Sequence, residues 1–483
     1  MTQKRMSEIR TIKVRFADDK VTWFGGSVLA ERLANRLGLW KYLERRLPAR
    51  RGDYDWFTIV KAAILGLLSG SKGTYATEDI RHDNAALTLM GLYGAPEEVT
   101  FWRALEQLGG VKLGSVMKNT LFEWVRRIME KTSCADIFVN GFLPVFADGT
   151  LLEGSERREC SKYMKGKGHG LLWNTVFVGP LLASQRLAGE GEGEQRCVRD
   201  MLAETTRELL EPLKLKDKAL VLMDSLHGDG STLDELERLG LRYIVGGMKL
   251  KGVEQKLNNL PDECWVEVGA GSDDGCEETS YCVLRFGCER WAANRILVGK
   301  RWKPDGGLFY KYGGVFTNLT EDDVGRLMRG GKGFAQAIFE LYNIKAGMEN
   351  YYKDMLEDLG LHHPPCGEWV RNAGFYALGA LAYVLGRGTE LIGGKGLLRM
   401  RSESDGDASK KGPGANGGDR VKAKQSRRGG KRKRMRLWRL RRRIFSIPAK
   451  IIRHAREMVV VLMGVSERIR AEFEAMWLAV CRC

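Results

Sequence analysis

Tyr342, Lys345, Glu349 and Lys353 are separated by three, four and four residues. At about 3.6 residues per turn this spacing puts all four on one helical face. A carboxylate between two ammonium groups and a phenol suits a helix that carries one metal ligand, with cationic support, to a phosphate backbone. The same residues also describe an exposed Glu349–Lys353 pair, worth roughly 0.2–0.5 kcal/mol. Two other acids bear on the choice. Residues 142–147 are an apolar run ending in Asp148-Gly149-Thr150, and residues 219–223 are another ending in Asp224-Ser225. Both read as buried strands that close on an aspartate and a turn. Ligand sites in open α/β sheets gather at the carboxyl ends of strands. Each aspartate alone is ordinary turn chemistry. Together with the helical glutamate they can bind two divalent cations, which also relieve the repulsion among three close carboxylates.

The elements that must position these residues follow an α/β alternation. Residues 171–178 and 181–187 read as strands, 195–210 as a helix, 219–223 as a strand, 231–239 as a helix and 242–245 as a strand. From about 260 to 318 the pattern changes to strands and turns, over residues 265–268, 280–285, 294–300 and 309–317, with a hairpin at 271–275. The first ~135 residues read as helices, at 27–47, 56–68, 100–108 and 115–131, separated by Gly or Pro breaks. The apolar stretch 373–386 is too short to span a bilayer and reads as a buried helix.

At this point the chain resembles the DDE transposases of bacterial insertion sequences, in the insertion-sequence-four superfamily and most like its thirteen-eighty group. The matching pieces are Asp148-Gly149-Thr150, Asp224-Ser225 and the helix Tyr342-x-x-Lys345-x-x-x-Glu349-Asn350-x-x-Lys353, with further similarity at residues 372–383 and 443–450. The resemblance covers roughly residues 140–460. It implies an RNase H-like catalytic core of α/β class, a β-rich insertion between the second Asp and the Glu, a preceding helical domain that binds the element's terminal repeats, and cut-and-paste transposition. The expected organisation is a helical DNA-binding and dimer-contact domain (1–135), the core in two parts (136–250 and 321–400), the β-rich insertion (251–320), a disordered basic segment (401–443) and a C-terminal helical segment (444–483). Two departures stand out. Lys345 replaces the family's usual Arg, so a bidentate phosphate fork becomes a point charge. The family's Asp-Ser-Gly-aromatic turn is Asp224-Ser225-Leu226-His227 here.

The expected mechanism is two-metal phosphoryl transfer, with Asp148, Asp224 and Glu349 as both catalytic residues and ligands of two Mg²⁺ ions, Mn²⁺ being a substitute. Lys345 and Lys353 are expected to hold phosphates, and Tyr342 to orient the DNA end. His227 reads equally as a DNA contact near the metals or as a turn residue. His362-His363-Pro364-Pro365 reads as a helix terminus. Trp265, Trp291 and Trp302 are positioned to stack on a distorted DNA end, although most tryptophans in such hairpins serve packing.

Charge distribution supports a nucleic-acid partner. The chain carries +17, and residues 410–443 alone hold 16 Lys+Arg against Asp419, a local +15 that leaves +2 for the remainder. Residues 402–416, rich in Ser, Gly, Lys and Asp, read as disordered. Lys431, Arg432, Lys433 and Arg434, followed by Arg441, Arg442 and Arg443, form a sequence-blind tether for double-stranded DNA, at terminal repeats and target alike. The same charge could instead aid solubility, or attract RNA or acidic membrane surfaces. A homodimer on paired ends is implied by the resemblance. The ten cysteines include no Cys-x-x-Cys pair, which fits reduced thiols in a cytoplasmic, nucleoid-associated protein without a membrane partner. Residues 1–18 are polar and of mixed charge, unlike a secretory signal. Two other functions stay open: a metal-dependent nuclease that cuts without joining, and a decayed copy that only binds DNA.

Overall fold

A computed structural model of the chain describes residues 20–408, apart from 251, 269–275, 290, 292, 305–306, 308 and 330, together with 434–454 and 457–483. The expected hairpin at 271–275 and the basic residues Lys431, Arg432 and Lys433 lie outside the described residues. The fold is mixed α/β, with a helical N-terminal region and one large mixed sheet.

The N-terminal region opens on a short strand, β1 (Val21–Thr22), and continues as helices. The helix expected over 27–47 is divided into Val28–Arg36 and Leu39–Glu44, because Gly38 takes a left-handed φ of 63° between them. Only a residue without a Cβ adopts that conformation cheaply. The helix Trp56–Ser69 starts where Asp55 accepts a hydrogen bond from the Thr58 amide at 2.7 Å, and it is buried along nearly its whole length. An N-cap of this kind contributes about 1 kcal/mol.

The sheet runs through β2 (Leu143–Glu153), β3 (Lys162–Met164), β4 (Gly168–Val178), β5 (Leu181–Leu187), β6 (Ala219–Met223), β7 (Arg242–Gly246), β8 (Val266–Val268), β9 (Cys276–Phe286), β10 (Arg295–Pro304) and β11 (Lys311–Thr317). Its spatial order is β3-β4-β2-β6-β7-β11-β10-β9-β8, with β5 also paired to β4. The β2–β6 and β6–β7 pairs are parallel, and their near-continuous apolar runs are buried, as parallel strands require. The strands after residue 260 were expected as an insertion. They extend the same sheet, because β11 pairs antiparallel with β7.

One expectation changes. The run ending at Asp148 is not the end of a strand. The parallel partner β6 stops at Met223, but antiparallel β4 keeps pairing with β2 as far as Glu153. Continued hydrogen bonding on one edge carries the backbone past the aspartate.

A long helix, Trp369–Ala408, crosses the molecule and packs against the N-terminal helices and the C-terminal helix Glu467–Arg482. It contains the buried stretch expected at 373–386 and carries on into the composition that reads as disordered after 402. The C-terminal portion, expected to be helical, also contains a hairpin of β12 (Ala449–His454) and β13 (Glu457–Leu462). Its β12 pairs with β1, so the two ends of the described chain share one small sheet. The β-branched Ile451, Ile452, Val459, Val460 and Val461 favour strand once such a partner edge is available. Among the described residues no helix is long and apolar enough to cross a membrane.

Close helix crossings depend on glycine. A Cβ at Gly109 would run into the Val370 carbonyl, and one at Gly374 would run into the Leu105 carbonyl. Backbone on both sides leaves nothing flexible to yield. Gly109→Ala is therefore expected to cost about 1–3 kcal/mol, read as a lower urea midpoint. An unchanged midpoint would show that the crossing is looser than described.

Candidate active site

Parallel register brings the two aspartates together. Phe146 on β2 is level with Leu222 on β6, so Asp148 and Asp224, each two residues further along, emerge at the same end of the sheet. Asp224 leaves β6 and caps the short turn Ser225–His227, its Oδ1 accepting from the Leu226 amide at 2.9 Å. Asp148 sits mid-strand opposite Thr175 on β4. Its backbone carbonyl accepts from the Tyr352 hydroxyl at 3.2 Å, and Thr175 Oγ1 lies 2.7 Å from that same hydroxyl.

The helix expected to carry Glu349 is built from unlike turns. Phe334–Tyr342 is α-helical, Asn343–Met348 is wound more tightly as 3-10 helix, and Glu349–Lys353 is α-helical again. A 3-10 segment inside a longer helix is an uncommon winding that often marks a functional site. Tyr342, Lys345 and Glu349 line one open cavity of about 240 Å³ together with Asp148 and Tyr352. Glu349 is exposed there, and Lys353 is exposed and does not line it.

The electrostatics couple these groups. Burial pushes the Asp148 carboxyl up from its ordinary value; the Lys345 ammonium opposes this, and the Asp224 charge adds to it. Lys345 Nζ lies 3.4 Å from Asp148 Oδ2, so its charge is directed at the carboxylate and not at open solvent. The Tyr342 phenol is pushed up to about 12, first by burial and then by Asp224 and Asp148. Its hydroxyl and the Asp224–Ser225 turn both approach Gly246. A Cβ at Gly246 would come 2.9 Å from that oxygen and 2.7 Å from the Ser225 nitrogen. Glycine at the end of β7 thus makes room for both.

Two residues at this corner were missed or misjudged in the sequence. Glu194, the first residue of the helix Glu194–Thr205, places its carboxylate 3.4 Å from His227 Nε2. One ligand atom from each of Asp148, Glu194 and His227 lies within 4.8 Å of the others. An acid in a first helical turn is too common to single out from sequence. His227 is completely buried, so it is not the DNA contact considered for it. A second group, Glu153, His362 and His363, meets the same distance limit near the surface.

The basic residues divide. Arg434 donates to the Tyr351 hydroxyl at 2.6 Å and to the Asp136 carbonyl at 2.8 Å. Arg441 donates to the Leu68 carbonyl at 2.9 Å, and Arg443 to Glu472 at 2.8 Å. Each of the three guanidinium groups is thus held at least in part by bonds within the protein. Arg442 is exposed. Trp265 and Trp291 are also largely internal. Trp265 lies under the Arg301 guanidinium, and Trp291 packs on Phe286 and Phe316. Trp302 is half-buried beside Lys300.

Residues 200–385 match the family model of the transposase DDE domain. The matched stretch contains Asp224 and Glu349 and leaves Asp148 outside. The match supports a DDE transposase, and with it DNA transposition and recombination. Among solved structures the chain is similar to the piggyBac transposase in a cryo-EM synaptic complex with hairpin DNA, at 11% identity, over 78% of this chain and 77% of that one, with a TM-score of 0.37. No curated protein matches the chain.

Proposed function

We propose that this chain, with a transposase DDE domain match over residues 200–385, is a cut-and-paste DNA transposase of the insertion-sequence-four superfamily with an RNase H-like core. The carrying observation is the parallel β2–β6 register, which sets Asp148 level with Asp224 beside the cavity that Glu349 lines. The donor set fits divalent cations. It consists of carboxylate oxygens, and burial raises the Asp148 carboxyl from its ordinary value, a shift that added positive charge opposes.

Asp148 and Asp224 would hold one Mg²⁺, and Glu349 would complete a second position. When bound, two such ions activate water and stabilise the leaving oxygen of an in-line phosphoryl displacement. The chain's own groups do the positioning. Lys345 reaches the Asp148 carboxylate and from there a phosphate in the same cavity, as a point charge. The Tyr342 hydroxyl, which approaches Gly246 as the Asp224–Ser225 turn does, orients the DNA end. Tyr352 and Thr175 fix the backbone of Asp148 from behind. Cleavage frees a 3′-hydroxyl, which the same site then directs at target DNA. Exposed Lys353 and Arg442, with Lys431, Arg432 and Lys433, would hold the DNA backbone, and the protein would act as a dimer on paired ends.

The test is cleavage of DNA flanking the reading frame at its source, with and without Mg²⁺, followed by a strand-transfer assay. Metal-dependent nicks at defined ends that join to a target are the expected result. Nicks without joining would favour a nuclease, and binding without nicks would defeat the enzyme reading.

A further inference from the structure

Glu194 and His227 take no part in the reaction just described, yet they occupy its most buried corner. His227 is completely buried, and neither of its ring nitrogens makes a hydrogen bond. Leaving a buried polar group unsatisfied costs on the order of 1–3 kcal/mol, so its persistence calls for a partner. Nε2 faces Glu194 Oε1 at 3.4 Å and Asp224 Oδ1 at 4.0 Å. The ligand atoms of Asp148, Glu194 and His227 all lie within 4.8 Å of one another. An ion with bonds of about 2.0–2.2 Å can bridge groups at such separations after small side-chain adjustments.

The surroundings hold these groups in place. A Cβ at Gly149 would come 2.6 Å from Glu194 Cδ and 2.8 Å from its Oε1, so the missing side chain beside Asp148 is what admits the Glu194 carboxylate. The neighbouring Gln195 donates to the Leu226 carbonyl at 2.6 Å. That bond ties the start of the Glu194 helix to the turn that carries His227, and fixes the two side chains relative to each other.

We propose that Asp148, Glu194 and His227 form an inner cation position, with Asp224 at its rim, that prefers a transition ion such as Mn²⁺ to Mg²⁺. The proposal rests on the transposase reading of the same site and deepens it. Imidazole nitrogen suits first-row transition ions, whereas Mg²⁺ takes oxygen ligands and keeps much of its water. The competing account is a buried His227–Glu194 ion pair with no role in metal binding.

The test is Mn²⁺ binding to the full chain, read from the electron paramagnetic resonance of free Mn²⁺, with Mg²⁺ as competitor. Glu194→Gln and His227→Asn are each expected to weaken Mn²⁺ binding about 10–100-fold. His227→Asn should also narrow the preference for Mn²⁺ over Mg²⁺. Wild-type affinity in both variants, with loss in Asp148→Asn, overturns the inner position and leaves the transposase reading intact. Wild-type affinity in Asp148→Asn as well removes the metal from this corner and defeats both. Mapping on the unmodified chain does not depend on how the variants fold. Fe²⁺ with ascorbate and peroxide should cut the backbone near residues 148, 194 and 227, and an absence of cuts near 194 and 227 rejects the proposal.

Discussion

Asp224→Asn and Glu349→Gln are each expected to reduce metal-dependent DNA cleavage by on the order of 10²–10³-fold or more, the scale of removing one preorganised electrostatic group from an active site. Both changes keep side-chain volume and remove a charge. At Asp224 the cap survives, because an amide oxygen also accepts from the Leu226 amide. At Glu349 the side chain is exposed, so packing is unaffected. Folding should therefore be near wild type, and so should DNA affinity, which comes from cationic contacts to phosphate and follows salt concentration. Cleavage is read on supercoiled DNA carrying the element's ends, and affinity by filter binding at several salt concentrations. Wild-type cutting by Glu349→Gln would remove it from the metal site and leave Asp148 as the carboxylate of that cavity.

A large effect on stability is expected from Arg387→Met. Arg387 is buried in the long helix Trp369–Ala408, where it pairs with Asp354, lies 3.2 Å from Glu390, and donates to the Met435 carbonyl at 2.9 Å. Asp354 also accepts from Arg436 at 2.6 Å and from the Leu437 amide at 3.2 Å. Asp354 follows directly on the Glu349–Lys353 helix, so this network joins the segment bearing Glu349 to the chain that emerges from the basic run. Removing the central cation strands buried carboxylates, a loss of about 3–5 kcal/mol.

The loss should depend on pH, and its sign can be worked out. Burial first, opposed by Arg387, raises the Asp354 carboxyl to about 6. Its unfolded value is near 3.9. Between the two values the folded state binds more protons than the unfolded one. The Asp354 contribution to stability is thus greatest below the unfolded value and declines as pH rises through about 6. Without Arg387 the carboxyl loses its main cationic support, so its protonation is favoured further. Arg387→Met is therefore expected to be less destabilised at pH 5 than at pH 8. Urea unfolding followed by tryptophan fluorescence at both values measures this. Equal losses at the two pH values would assign the effect to packing of the Arg387 stem.

The local pattern of this chain determines a good deal. The apolar run of β6 and its terminal Asp224 are legible because strand period, length and turn chemistry are properties of neighbouring residues. The same holds for the buried helix Trp56–Ser69, and for the alternating strands β9 to β11. The spacing of Tyr342, Lys345 and Glu349 likewise announces a shared face, and these three do line one cavity with Asp148. Lys353 follows the same spacing but does not line that cavity.

What only the tertiary structure decided depends on partners distant in the chain. Whether β2 ends at Asp148 is set by β4, which keeps pairing after β6 has stopped. Whether Arg434, Arg441 and Arg443 face DNA or the protein is set by Asp136, Leu68 and Glu472. Glu194 is unremarked in the sequence and His227 reads there only as a DNA contact or a turn residue; the two meet because a helix start and a strand-end turn converge beside Gly149. Charge and periodicity are written residue by residue, whereas register and burial are pairwise properties of the folded chain. The strand-end aspartate and the cavity-facing glutamate could therefore be read in advance, but the set of side chains that surrounds them could not.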